Sequence, residues 1–218
     1  MLELFMVAGL GWLCYHHSWL RDDEIAGATR NVGDRFGKLW DIAHQSMRES
    51  RFLRAEKALL TILKIDEKNA AAYNRLGILY AKQKEYRDAI DCFEIASSIE
   101  ATASSLHNLG LIYYETENYE KAAIAFEQSI KLEDTLAARH VAYAKVVEKL
   151  GNDKLMFQEL DKAAELEPNK ETFMLLYRAY ESRGMEMEAD LMADKIKKLV
   201  TTSSTKRRRI LRPKRVIV

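Results

Sequence analysis

Cys14, Tyr15, His16 and His17 place three metal-ligating side chain types within four consecutive positions of a 218-residue chain. A zinc or copper site draws on thiolates and imidazoles of this kind. Consecutive residues of a helix do not share a face, however, so this run cannot turn its side chains toward one ion. The remaining histidines, His44, His107 and His140, show no ligand spacing and read as solvated or hydrogen-bonded side chains. A glycine-rich phosphate loop, a G-x-S-x-G elbow and an H-E-x-x-H pair are all missing from the sequence. Glu/Lys-rich stretches such as Glu115–Lys121 read as solvated helix ends. These patterns point to a non-enzymatic protein, with no metal, cofactor or small-molecule substrate expected.

Charge is concentrated at the C-terminus. Lys206, Arg207, Arg208, Arg209, Arg212, Lys214 and Arg215 fall within thirteen residues that contain no acid. Taking these 7 from the 34 bases leaves 27 against 33 acids, so residues 1–205 sit at −6. The chain is an acidic body with a basic tail. Such a tail is attracted to anionic lipid headgroups, at about 1 kcal/mol per base near the surface. Nucleic-acid phosphates or an acidic protein would attract it through the same field. Ile210, Leu211 and Val216–Val218 add apolar side chains that can dip into a membrane or extend a partner's surface. The run Thr-Thr-Ser-Ser-Thr at 201–205 reads as a flexible tether before the tail.

The N-terminus carries the opposite signal. Residues 4–20 contain no Asp, Glu, Lys or Arg. A helix over residues 2–20 would span about 28 Å, just short of a hydrocarbon core of about 30 Å. Trp12, Tyr15 and Trp19 suit a membrane interface. The expectation is a single-pass anchor over 1–20 and a linker over 21–35. Arg21, Arg30, Arg35 and Lys38 all follow the segment, which places the rest of the chain on the cytoplasmic side. A soluble chain whose hydrophobic helix caps the next element or pairs two chains is the alternative. A cleaved signal peptide fits poorly, because Glu3 replaces a basic start and no A-x-A-like site follows. The two cysteines, Cys14 and Cys92, are too few and too far apart for a disulfide framework. Nearly half the residues are apolar and only two are proline, which favours continuous helix.

Between these ends the chain repeats itself. Tyr73, Leu76-Gly77, Tyr80, Ala89, Phe93 and Ala96 are followed 33 residues later by Leu106, Leu109-Gly110, Tyr113, Ala122, Phe126 and Ser129. Small residues allow close approach of two helix backbones, and large ones fill the space between hairpins. Tyr86 and Tyr119 open the second helix of each copy, where a ring can pack back on the first. Extending the register gives five copies over 36–69, 70–102, 103–136, 137–169 and 170–200. Apolar spacing at i, i+3, i+4 and i+7 then predicts ten helices. They cover 36–49, 52–65, 70–83, 86–99, 103–116, 119–132, 137–150, 153–166, 170–183 and 185–200. Met156 and Tyr177 depart from the small residues that the pattern asks for, so irregular packing is expected in the last two copies.

These residues resemble the tetratricopeptide repeat, a helix–turn–helix unit of about 34 residues. The resemblance implies an all-α, right-handed α-solenoid of about five repeats over 36–200, preceded by the hydrophobic N-terminal helix. It also implies a concave groove lined by the first helix of each repeat, where a partner peptide or helix binds. The groove would then carry Trp40, His44, Asn74, Ile78, His107, Leu111, Tyr114, Val141, Lys145, Met174 and Arg178. A clamp for a partner's terminal carboxylate is not expected. Trp40, His44, His107 and Leu111 stand where its lysine, arginine and asparagine residues belong, and only Asn74, Arg75 and Asn108 suit it. The layout is similar to membrane-anchored bacterial tetratricopeptide adaptors such as the lipopolysaccharide assembly protein B family. It lacks that family's rubredoxin-like metal end, which needs paired C-x-x-C motifs. Together the readings describe a membrane-anchored protein-interaction adaptor. The alternative is a soluble regulatory protein whose basic tail binds nucleic acid.

Overall fold

The computed structural model describes residues 34–210, with side chains over 34–201. Among them are ten helices and no strand. Helix α1 covers 34–48, followed by α2 (Phe52–Ile65), α3 (Ala70–Gln83), α4 (Tyr86–Ile99) and α5 (Ala103–Glu115). Then come α6 (Tyr119–Leu132), α7 (Ala137–Lys149), α8 (Asp153–Leu166), α9 (Lys170–Glu181) and α10 (Glu186–Ile210). The hydrophobic segment 1–20 and most of the linker lie outside the described residues. The chain divides inside α3 into two compact units, Met1–Leu79 and Tyr80–Val218.

The period is written most plainly in the backbone. Ser50, Lys84, Glu117, Gly151 and Gly184 all have positive φ, between 57° and 75°, and stand 33 or 34 residues apart. Each follows the first helix of a copy. In the second copy Lys84 N–H donates to the Ala81 carbonyl (3.0 Å) and Glu85 N–H to the Tyr80 carbonyl (2.9 Å). The equivalent pair of bonds recurs around Ser50, Glu117, Gly151 and Gly184. This is the Schellman arrangement, which satisfies two carbonyls left over at a helix end and turns the chain sharply. The residue after the left-handed one begins the next helix. Asn118 and Asn152 there accept hydrogen bonds from Lys121 N–H and Leu155 N–H. Arg51 and Glu85 make no such side-chain cap.

Within the unit 80–218, each helix packs on its neighbour in the chain, and α5 also touches α7. The first helices of the third and fourth copies, α5 and α7, therefore lie side by side, as in an α-solenoid. Phe93 and Phe126 are almost wholly buried, as are Ala89, Ala96 and Ala122. Ser129 takes the place of Ala96 one copy on, and its hydroxyl donates to the Ala103 carbonyl at 2.6 Å inside the core. Tyr119 packs back on α5 through Tyr114, with ring centroids 5.6 Å apart.

The last two copies are well packed, contrary to the irregularity expected of them. Met156 is buried in one cluster with Ala144, Leu160, Phe173, Leu176 and Met192. An unbranched thioether can fill the irregular gap that a small residue would leave. Tyr177 is half-buried and turns its hydroxyl outward to donate to Glu181 Oε1 at 3.0 Å. Arg183 ties the fifth copy to the fourth through Glu148 (3.2 Å) and Asp153 (2.5 Å).

The tether expected at 201–205 is helix instead, because α10 runs on to Ile210. The Thr201 hydroxyl donates to the Lys197 and Lys198 carbonyls, at 3.1 and 2.9 Å, so this polar residue sits within the helix without opening it. Basic residues at a helix C-terminus also suit its dipole. Lys206, Arg207, Arg208 and Arg209 thus stand on the last turns of α10, while Arg212, Lys214 and Arg215 lie outside the described residues.

In the unit Met1–Leu79, Ala43, Met47, Ala55, Leu59, Ile62 and Leu76 are buried. The α1 and α2 helices border an apolar cavity of about 560 Å³, lined by Leu39, Ile42 and Ile65 with Arg35 and Lys38 at its edge.

Candidate functional site

The first helices of the third, fourth and fifth copies build one groove. On α5, His107, Leu111 and Tyr114 recur at i, i+4 and i+7, which keeps them on one face. On α7, Ala138, Val141 and Lys145 do the same at i, i+3 and i+7. Together with Leu175 of α9 they enclose a cavity of about 410 Å³. A second cavity of about 340 Å³ shares Val141, Lys145 and Leu175 with the first and continues to Arg178 and Ala179. Most of the lining is apolar, and its charged members are exposed: Glu115, Glu167 and Glu171 with Lys145 in the first cavity, Glu148 and Arg178 with Lys145 in the second.

Six of the eleven groove residues expected from the sequence are gathered here: His107, Leu111, Tyr114, Val141, Lys145 and Arg178. Trp40, His44, Asn74 and Ile78 belong to the other unit. There Trp40 and His44 pair on α1 with ring centroids 5.5 Å apart, and Asn74 and Ile78 are half-buried on α3. For Met174 the register is off by one, since its neighbour Leu175 lines both cavities. Glu171, Leu175, Arg178 and Ser182 follow i, i+4, i+7 and i+11, a stripe that passes Met174 by. The sequence reading also missed the carboxylates: Glu115, expected as a solvated helix end, stands on the cavity wall.

His107 is the one groove histidine. Its Nδ1 is buried without a hydrogen-bond partner, and its ring meets Phe126 edge-on at 5.4 Å between centroids. Burial, helped by the nearby Arg139 charge, lowers its pKa from the ordinary 6.5, so at neutral pH it is an uncharged part of the wall. His140 is hydrogen-bonded as expected. Its Nδ1 meets Glu159 Oε2 at 2.7 Å and its Nε2 meets the Asp134 carbonyl at 3.0 Å, which fixes the loop before α7 against α8. Among the described residues no three His, Cys, Asp or Glu side chains come together as a metal site. No described helix is long and apolar enough to cross a membrane.

Stacked helix–turn–helix copies of 33 to 34 residues, with small residues at the crossings, define a repeat-type interaction scaffold. Residues 68–134 match the family model of the tetratricopeptide repeat. Those residues are tetratricopeptide repeats, and the copies on either side share their period. No curated protein sequence matches the chain. Among solved structures it is similar to MamA, at 19% identity and a TM-score of 0.67, over 85% of this chain and 98% of that one. MamA 41-end from Desulfovibrio magneticus RS-1 gives a TM-score of 0.68 at 13% identity, over 79% of this chain and 97% of that one. YrrB, described as a tetratricopeptide protein with an unusual peptide-binding site, gives 0.62 at 19% identity, over 72% and 82%. At these identities the likeness is one of fold.

Proposed function

We propose that this chain is a non-enzymatic adaptor that holds a peptide or helix of a partner protein in the α5–α7–α9 groove. The observation that carries the reading is the continuity of the two cavities through Val141, Lys145 and Leu175. Together they form a mostly apolar trough with exposed charged groups in its lining, which suits side-chain anchors of an extended or helical segment. The peptide-binding site of YrrB supports the reading by analogy of fold. Residues 4–20 anchor the adaptor in a membrane as a single pass, with the repeats on the cytoplasmic side.

Leu111 is partly exposed and Val141 half-buried in the groove, so Leu111→Glu with Val141→Glu places charge in the apolar part of the trough. Full-length protein captured from its native cells in mild detergent brings down partners that this double variant loses, while its helix content stays that of the wild type. Equal capture by both proteins rejects the groove. Fractionation tests the anchor separately: full-length protein that stays soluble after lysis without detergent rejects membrane attachment.

A further inference from the structure

The groove's charge and the tail's charge are opposite, and this points to what the groove holds. Glu115, Glu167 and Glu171 line the first cavity, and Lys145 is the one permanent cation on the same wall. Among the described residues none of the three carboxylates takes part in an ion pair. An apolar cavity lined also by three carboxylates outside any ion pair is complementary to a segment that alternates apolar and basic side chains. This chain contains such a segment in Lys206–Val218, where Arg209 and Arg212 flank Ile210-Leu211 and no acid occurs.

Geometry decides between the chain's own groove and a neighbour's. Lys195 of α10 sits over the Phe173 ring of α9 at 5.2 Å, and Ile196 and Leu199 pack on the same cluster. By about residue 199, α10 has therefore run the length of α9. Residues 200–210 carry the helix about 16 Å further. Lys206, Arg207, Arg208 and Arg209 therefore stand beyond α9 and would have to double back to reach this copy's own groove. A second molecule meets the tail without any return.

We propose that the groove formed by α5, α7 and α9 binds residues 206–218 of a second copy of this chain. Ile210 and Leu211 enter the apolar trough, and the flanking arginines face Glu115, Glu167 and Glu171. This rests on the reading of the groove as a peptide site and names its occupant. Tail and groove are different surfaces, so the contact is head-to-tail and can continue from copy to copy.

The test is sedimentation of the full-length chain in detergent micelles over a concentration series, with circular dichroism to confirm that each variant is folded. The wild type self-associates as concentration rises and disperses at roughly 0.5 M salt, where exposed charges are screened beyond about 4 Å. Neutralising the groove (E115Q, E167Q and E171Q together) raises the association midpoint by about tenfold, as does replacing all seven tail bases with Gln. Reversing the groove to Lys and the tail to Glu in one chain restores association. A monomeric wild type overturns the proposal. So does association that depends on the tail but ignores the groove carboxylates. Binding of wild type and groove variant alike to phosphatidylserine vesicles, without self-association, overturns it in favour of lipid. Partner capture that still depends on Leu111 and Val141 would in each case leave the adaptor reading standing.

Discussion

The ring of Phe126 lies where a side chain on Gly110 would begin. A Cβ built on Gly110 falls 2.9 Å from both Cε1 and Cζ of Phe126, closer than real contacts allow. Phe126 is fully buried, so the ring has no free space to turn into. The glycine and the aromatic, sixteen residues apart, therefore set how closely α5 and α6 approach.

Gly110→Ala should destabilise the fold by up to about 2 kcal/mol, an overpacking cost of about 1–3 kcal/mol less a helix-propensity gain of about 1 kcal/mol. Thermal melting followed by circular dichroism reads this as a Tm up to about 8 °C lower. An unchanged Tm would mean that the ring yields.

The left-handed turns predict gains as well as losses. Ser50, Lys84 and Glu117 hold a conformation that strains any residue with a Cβ. Changing each to Gly should stabilise by about 0.5–1 kcal/mol in denaturant unfolding. Gly151→Ala and Gly184→Ala should lose about 1 kcal/mol each. An added methyl there meets nothing within 4 Å, so the loss comes from the backbone alone.

His107 predicts a dependence on pH. Burial first, and then the Arg139 charge, lower its pKa in the folded state, so the unfolded chain takes up the proton at a higher pH. Stability should fall as pH drops from 6.5 toward the depressed folded value, and it should be unaffected by this group above 6.5. His107→Gln should flatten that acid limb in denaturant unfolding followed across pH. An NMR titration midpoint for His107 at or above 6.5 would refute the assignment.

His140 bridges Glu159 and the Asp134 carbonyl from a buried position. His140→Ala leaves both without that partner and should cost about 1–3 kcal/mol. His44 is exposed, so His44→Ala serves as a control whose Tm should change little.

Much of this was legible in the sequence, for reasons that differ between residues. Gly110, Ala122 and Phe126 announce themselves because close-packed crossings tolerate few residue types. The helix ends fall within two residues of expectation, apart from α10, because each turn is closed by local hydrogen bonds. On α9 the helical period allows either Met174 or Leu175 beside Arg178, and only the neighbouring helix settles the choice. Glu115 and Glu171 escaped notice because a carboxylate at a helix end looks solvated whether or not a cavity lies beside it. The extension of α10 was hidden by its Thr-Ser run, whose weak propensity is overridden once a packed helix leads into it.

The five left-handed turns also bear on how the chain reaches its fold. Each closes a hairpin through bonds spanning at most five residues, so little loop entropy is lost when it forms. Contacts of such short sequence separation go with rapid folding, and in a linear stack ordering can begin at more than one hairpin and spread. Damage to one turn should then loosen its neighbours first, and a copy inserted or removed in whole periods should leave the others intact. The same spacing that organises the groove makes the array's length adjustable.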